Sequence, residues 1–147
     1  ISVDHLEVLT EDEINLLKDS DTIPVALPGC SFFINIPFSP GRKIIESGLP
    51  LVLASDFNPG SAPSFSMSMI NSLACIKMRL LPEEAINATT FNAAFALELE
   101  NEVGSITKGK KANFIVSKEA ITPATIAYNF GIDWIDEVYI NGEIYNG

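Results

Sequence analysis

Residues 49–54 read LPLVLA, a continuous apolar run with no polar residue in alternation. A strand with one solvated face alternates apolar and polar side chains, because successive side chains point to opposite faces of the sheet. This run is therefore typical of a strand that is covered on both faces, as in parallel α/β sheets. Parallel neighbours need long crossover connections, so the run predicts helices before and after it.

The first hundred residues alternate predicted strands with predicted helices. Thr10 and Glu13 form a capping box at the start of a short helix, and Pro82 opens a later one. Strands are predicted at 1–6, 23–27 and 49–54, helices after Thr10, at 39–48, at 65–78 and from Pro82 as far as 97, and a loop at 30–38. This order predicts an α/β fold with right-handed βα crossovers and a parallel sheet or barrel.

The last third of the chain is predicted to be a small β-rich appendage. Residues 114–116 form a short β-like run, and residues 138–145 read as a hairpin with an Asn-Gly turn, the strongest short-range hairpin signal. We therefore divide the chain into an α/β body, residues 1–100, and a β-rich subdomain, residues 101–147.

The balance of apolar and charged residues indicates that part of the surface needs a partner. The chain is 47% hydrophobic and only 19% charged. Such a chain must bury more apolar surface than a small free-standing domain offers, which suits a buried sheet or a piece whose partner surface is absent. Because the chain begins with Ile1 rather than Met, we expect a fragment whose remainder, or a second copy in a homodimer or larger assembly, covers that surface.

The net charge of −10 argues against two classes of partner. An acidic chain repels a phosphate backbone and gains little at an anionic membrane surface, and no apolar run is long enough to span a bilayer. We therefore predict no nucleic acid and no membrane. Cys30 and Cys75 are predicted to be free thiols rather than a disulfide, which favours a cytoplasmic protein.

Two polar positions follow predicted strands, where parallel α/β folds place their reactive groups. His5, the only histidine, follows the first strand, and Asp56 follows the apolar run 49–54. Burying a carboxylate at such a place is costly unless it is paired, hydrogen-bonded or bound to metal. A lone histidine at a strand end is more often structural than catalytic, and an aspartate there can simply end the strand. From the residues alone both interpretations stay open.

A metal site needs three or four ligands, and one histidine with one aspartate are too few. The cysteines lack zinc-ligand spacing, and the sequence contains neither a G-x-S-x-G motif nor a phosphate-binding glycine-rich loop before a helix. The residues by themselves therefore predict an α/β piece with a candidate aspartate and a candidate histidine, and no complete active site.

Residues 53–61, LASDFNPGS, resemble a motif of the imidazolonepropionases, amidohydrolase-superfamily enzymes of histidine breakdown. Residues 2–6, SVDHL, are similar to that family's Ala-Asp-His-Leu element. Residues 90–96 and 103–112 resemble a signature, NAA followed by GSI and GK.AD, which many amidohydrolases share. The resemblance runs over essentially the whole chain.

The resemblance implies a metal-dependent hydrolase that opens the ring of 4-imidazolone-5-propanoate to give N-formimidoyl-glutamate. In this family one zinc or iron ion activates the attacking water. By their match to the motifs, Asp56 would be a metal ligand and proton shuttle, and His5 would polarise the small-molecule substrate. Asn58, Gly60 and Ser61 would form the loop that holds the substrate.

The same resemblance implies a partial (β/α)8 TIM-type barrel, of which residues 1–100 carry the last three βα units, with a small β-sandwich appendage. The family's other metal ligands and its substrate-carboxylate residues precede the position of Ile1, so we expect the chain alone to be inactive. Glu98 stands where the family usually has glycine, and Asn113 where it usually has aspartate. Two alternatives stay open: another amidohydrolase, such as a cyclic amide hydrolase or deaminase, or a non-catalytic fragment that self-associates.

Overall fold

A computed structural model describes residues 2–146, in which strands and helices alternate along the first hundred residues. The strands there are β1 (Ser2–Asp4), β2 (Ile23–Ala26) and β3 (Val52–Leu53), and the helices are α1 (Glu11–Lys18), α2 (Pro28–Phe33), α3 (Gly41–Glu46), α4 (Met67–Lys77), α5 (Pro82–Thr89) and α6 (Phe91–Ala96). The remaining elements are β4 (Phe114–Ser117), α7 (Pro123–Tyr128), β5 (Ile135–Ile140) and β6 (Glu143–Ile144).

The first three strands form one parallel sheet in the order β1-β2-β3, so the predicted parallel α/β architecture is confirmed. Asp4 lies beside Val25, and Val25 lies beside Val52. The ladder of β3 is shorter than the apolar run 49–54, and Pro50 within that run has no N–H group to donate.

The two faces of this sheet pack into separate apolar clusters. Ala26 and Leu53 enter the larger cluster, whose further buried members are Leu6, Ile14, Ile44, Leu51, Ile70, Ala74, Met78, Leu80, Ala85 and Ala88. Val25 and Val52, one residue earlier on each strand, enter a second cluster with Ile23, Leu27, Cys30 and Ala62. Because neighbouring side chains of β2 and β3 are buried in opposite clusters, both faces are covered, as the apolar run predicted.

The predicted loop at 30–38 is wrong over its first half, because α2 occupies Pro28–Phe33. Proline fits the first turn of a helix, where its missing N–H group would be unpaired anyway, so Pro28 starts this helix rather than a turn. The predicted helix from Pro82 to 97 is two helices, since Thr90 between them leaves helical geometry at φ −123° and ψ −85°.

Helix α7 was not predicted, although its start signal is present. The hydroxyl of Thr122 accepts a hydrogen bond from the backbone N–H of Thr125, and Pro123 occupies the first turn. No helix among residues 2–146 is long and apolar enough to cross a bilayer. Cys30 and Cys75 are both unpaired, as predicted, and burial raises the pKa of the Cys75 thiol.

The last three strands form an antiparallel sheet in the order β4-β5-β6. Asn141 and Gly142 join β5 to β6 with φ of 54° and 84°, which confirms the predicted Asn-Gly hairpin. The N–H of Asn141 donates to the side-chain oxygen of Asn113 at 2.8 Å. An aspartate at this position, which the resembling family usually has, offers an acceptor oxygen at the same place. Residues 101–146 contain this single sheet, and a second layer that would complete a sandwich stays a prediction.

The two signature segments shared by many amidohydrolases contact each other in the fold. The side-chain amide of Asn92 on α6 donates to the carbonyl of Leu51 at 2.8 Å and so holds the start of β3. A side chain at Gly104 would place its Cβ 2.6 Å from the Cβ of Ala94, and Gly104 has φ +87°. The segment after α6 therefore lies directly against that helix, and only glycine fits the contact.

We expect Gly104→Ala to lower the free energy of unfolding by about 2–4 kcal/mol, because it combines a left-handed backbone cost with overpacking. Gly109→Ala is the matched control: its φ is +97°, but nothing lies within 4 Å of the added carbon. The control should lose only the backbone cost, about 1 kcal/mol. Urea unfolding of the three proteins measures both values, and equal losses would contradict the tight contact with α6.

Arg42 on α3 and Glu84 on α5 form a bidentate pair across two helices, with N–O distances of 3.0 and 2.8 Å. The hydrogen bonds from Arg42 lower the pKa of the Glu84 carboxyl below its usual 4.5. Because the folded state favours the carboxylate, this pair stabilises the protein above pH 4.5, and the contribution is lost as pH falls through the lowered pKa.

We expect Glu84→Gln to lower the free energy of unfolding by about 1 kcal/mol at neutral pH, with the difference shrinking below pH 4.5. Glu46→Gln is the control, since Glu46 also contacts Arg42, at 3.3 Å, but its side chain is 68% exposed. The control should change stability little at any pH. Denaturant unfolding between neutral and acidic pH measures the difference, and a loss that grows on acidification would refute this assignment.

Candidate functional site

The two candidate catalytic residues lie at the same edge of the parallel sheet. His5 follows the end of β1 directly, and Asp56 comes three residues after the end of β3. Since β2 separates the two strands and neighbouring strands lie about 4.8 Å apart, the ends of β1 and β3 are separated by about 10 Å. The structure therefore places both residues at the carboxyl edge of the sheet, where parallel folds gather their reactive groups.

Both residues have left-handed backbone geometry, with φ of 60° at His5 and 52° at Asp56. This conformation costs a non-glycine residue about 1–2 kcal/mol, and such residues collect at functional sites and tight turns. Glu98 shares it, with φ of 58°, at a position where the resembling family usually has glycine. The backbone at Glu98 explains that usual glycine, so positive φ alone does not identify a site.

Within residues 2–146, the carboxylate of Asp56 makes no hydrogen bond or ion pair, and the residue is partly exposed. Its main-chain carbonyl is engaged instead, accepting a bond from the side-chain amide of Asn58 at 2.6 Å. Neither of its carboxylate oxygens is among the buried side-chain atoms of residues 2–146 without a partner, so the carboxylate reaches solvent and is free to bind a cation. This arrangement fits a carboxylate that serves as one ligand of a cation.

The loop after Asp56 is shaped from within by the side chain of Asn58. Its oxygen accepts bonds from the N–H groups of Gly60 and Ser61, at 2.9 and 2.8 Å, and its amide nitrogen lies 3.1 Å from the Ser61 hydroxyl. The N–H of Asn58 donates to the carbonyl of Ala62 at 3.0 Å. The structure thus brings Asn58, Gly60 and Ser61 together in one closed turn, and their contact with a substrate stays a prediction.

Aromatic side chains beside this turn were not predicted to belong to the site. Phe57 and Phe65 meet edge to face, with ring centroids 5.5 Å apart, and both are exposed. Phe32 and Phe33, at the end of α2, line a cavity of about 70 Å³ together with Gly29 and Pro63. The carboxyl edge therefore carries an exposed apolar surface next to the polar turn. Part of this surface comes from helix α2, at a position where a loop was predicted.

Glu7 is a further residue of the site that the sequence motifs did not predict. One of its carboxylate oxygens lies 3.6 Å from Nδ1 of His5, and its side chain is only 10% exposed. That oxygen is buried and has no hydrogen-bond partner among the described residues. The only available signal was its place two residues after the candidate histidine.

Within residues 2–146, no three or more His, Cys, Asp and Glu side chains come together in a way that could hold a metal ion. Asp56 is therefore a single candidate ligand, and a metal at this edge would need further ligands from elsewhere.

Comparison with protein families places residues 5–145 in one model, described as the amidohydrolase family. An imidazolonepropionase from Christiangramia forsetii is 56% identical over 144 residues, and one from Flavobacterium johnsoniae is 53% identical over 144 residues. Each match covers 98% of this chain and 35% of the relative, so the chain spans about a third of the length of these relatives. The predicted similarity to imidazolonepropionases is confirmed.

Solved structures share the fold at much lower sequence identity. An adenosine deaminase from Xanthomonas campestris, with bound zinc, matches with a TM-score of 0.87 and 22% identity over 97% of this chain and 36% of its own. The guanine deaminase of E. coli matches with a TM-score of 0.81 and 18% identity over 98% of this chain and 38% of its own. The strands and helices of this chain therefore have the arrangement found in about a third of each of these larger structures.

Proposed function

Because this chain belongs to the amidohydrolase family, we propose that it is the carboxy-terminal part of a hydrolase that opens the ring of 4-imidazolone-5-propanoate to N-formimidoyl-glutamate. The observation that carries the proposal is the unpaired carboxylate of Asp56 at the carboxyl end of a buried parallel strand. The motif 53–61 around it matches the imidazolonepropionases in sequence, which favours this reaction over others of the family.

In the proposed enzyme the chain supplies two reactive groups and one binding turn. Asp56 would hold one divalent ion, zinc or iron, and its carboxylate would accept a proton from the attacking water. When bound, the ion would supply an activated water and a polarised substrate bond. His5 donates a hydrogen bond to the oxygen on which charge develops. The turn of Asn58, Gly60 and Ser61 forms one side of the pocket that binds the small-molecule substrate.

We also propose that residues 1–100 are the last three βα units of a (β/α)8 barrel. In that arrangement the free edges of β1 and β3 pair with strands that this chain does not contain, which removes exposed N–H and C=O groups. Residues 101–147 would form one layer of a β-sandwich, completed by a second layer from the rest of the protein. The free thiols of Cys30 and Cys75 favour a cytoplasmic enzyme.

A fusion enzyme tests the proposal directly. The part of the Christiangramia forsetii relative that precedes the matched region is joined to this chain, and product formation from 4-imidazolone-5-propanoate is measured. We expect N-formimidoyl-glutamate from the fusion enzyme and none from either part alone. A folded, metal-loaded fusion that leaves this substrate intact, but hydrolyses another cyclic amide or deaminates a purine in a substrate panel, would replace the proposed reaction.

A second candidate, a self-associating fragment without activity, is favoured by the free sheet edges and by exposed aromatic side chains such as Phe32, Phe57 and Phe65. Unpaired strand edges and apolar patches promote association between copies. Sedimentation of the isolated chain distinguishes the two: the amino-terminal part of the relative should convert self-associated chain into a one-to-one complex. Assemblies that persist unchanged in its presence would favour the second candidate.

A further inference from the structure

One carboxylate oxygen of Glu7 is buried beside the candidate catalytic histidine and lacks a hydrogen-bond partner among the described residues. A buried carboxylate oxygen without a partner is unfavourable, so a nearby donor is expected to engage it. Within residues 2–146, the one charged or chargeable nitrogen that lies within 4 Å of this oxygen is Nδ1 of His5, at 3.6 Å.

The local fold keeps these two side chains together. Leu6, between them in sequence, is only 4% exposed and belongs to the core, which anchors the segment. The N–H of Leu9 donates to the carbonyl of Leu6 at 3.2 Å, so residues 6–9 form a turn that contains Glu7. His5 itself has left-handed backbone geometry and a side chain that is 54% exposed, whereas that of Glu7 is 10% exposed. A fixed, buried acceptor therefore lies beside a ring that nothing else holds among residues 2–146.

We propose that Glu7 is a positioning residue for His5: its carboxylate accepts a hydrogen bond from Nδ1–H and leaves Nε2 as the ring nitrogen that meets the substrate. The ring nitrogens of histidine are chemically distinct, and the bond that one makes decides which of them carries the proton. A carboxylate at Nδ1 also stabilises the ring when it carries both protons, and then Nε2–H is a donor. The role in catalysis rests on the function proposed above, whereas the contact between the two side chains does not.

The tautomer of His5 tests this contact without any measurement of activity. His5 is the only histidine of the chain, so histidine labelled with ¹⁵N gives the signals of one imidazole in solution or in a solid sample. At alkaline pH, where the ring is neutral, we expect Nδ1–H as the major tautomer. A neutral imidazole in water prefers Nε2–H, so the expected result is a reversal of the ordinary preference.

Three variants separate hydrogen bonding from charge. Glu7→Gln keeps an acceptor of the same length and should keep Nδ1–H, whereas Glu7→Leu removes the acceptor and should return the ring to Nε2–H. Glu143→Gln, at an exposed position on β6, is the matched control and should leave the tautomer unchanged. Nε2–H as the major tautomer in the unsubstituted chain would overturn the proposal, as would a tautomer that Glu7→Leu leaves unaltered.

The catalytic consequence is measured in the fusion enzyme. Loss of an outer partner that orients a metal-bound histidine costs about 10- to 100-fold in activity, and we take that range as the expected order for His5. We expect Glu7→Leu to lower kcat by that factor with little change in KM, and Glu7→Gln to recover most of the loss. Equal losses in both variants, or a change confined to KM, would mean that Glu7 does not act by orienting the ring. An inactive unsubstituted fusion enzyme would count against the proposed function, and the tautomer measurement would still decide the contact.

Discussion

Replacing Asp56 by asparagine in the fusion enzyme is expected to lower kcat by about 10³-fold or more, with the fold unchanged. Asparagine preserves the size of the side chain and its ability to lie at the end of β3. It cannot accept a proton at neutral pH, and it carries no charge to bind a cation. Loss of a proton-transfer group alone costs about 10²- to 10⁴-fold, and a weakened metal site adds to that loss.

A matched control for Asp56→Asn lies at the opposite edge of the same sheet. Asp21 is exposed just before β2, at the amino end of the strands, where parallel folds carry no catalytic groups. Asp21→Asn should therefore keep kcat and KM within a factor of two or so of the parent. If both variants were equally active, Asp56 would be a residue that only ends a strand. If both were equally impaired, the loss would reflect folding rather than chemistry, which urea unfolding would reveal.

The parts of the fold that could be predicted are those fixed by short-range patterns. The apolar run 49–54 predicted a strand covered on both faces, and Val52 and Leu53 are buried in separate clusters. The Asn141-Gly142 turn predicted the hairpin, because a type I′ turn needs positive φ at both positions. In each case a local sequence requirement and the final packing favour the same structure.

The errors arose where a local signal fits two kinds of structure or is absent. Pro28 and Gly29 are typical of a turn, but proline also fits the first turn of a helix, and burial of Cys30 and Ser31 against the body favours the helix α2. The break at Thr90 has no strong signal, because alanine-rich residues on both sides favour helix. Tertiary contacts, such as the bond from Asn92 to Leu51, decide the position of α6.

The candidate site was predictable in its residue types and not in its internal contacts. Asp56 and His5 were identified from strand ends and motifs, and the structure places both at the carboxyl edge of one sheet. Their motifs did not reveal that the side chain of Asn58 accepts hydrogen bonds within its own turn, or that the side chain of Glu7 lies beside His5. Such contacts depend on the backbone geometry of the loop after the strand. The alternation of apolar and polar residues, which predicts helices and strands, carries no information about that geometry.

Metal binding by the isolated chain is expected to be weaker than by the fusion enzyme by at least about 10³-fold. A tight site needs three or four protein ligands held in fixed geometry, and residues 2–146 offer Asp56 without a cluster of further ligands around it. The remaining ligands would enter only with the amino-terminal part of the protein. Titration with zinc, followed by calorimetry, measures both dissociation constants directly.

The effect of Asp56→Asn on zinc binding distinguishes a specific metal site from non-specific binding of zinc. In the fusion enzyme, Asp56→Asn should weaken zinc binding strongly and abolish the rise in Tm that zinc produces, because a ligand that binds only the folded state stabilises it. In the isolated chain the same substitution should change neither the affinity nor Tm, since one carboxylate makes no site. Tight binding by the isolated chain that disappears in Asp56→Asn would mean that this chain, alone or as a self-associated assembly, completes a metal site from its own residues.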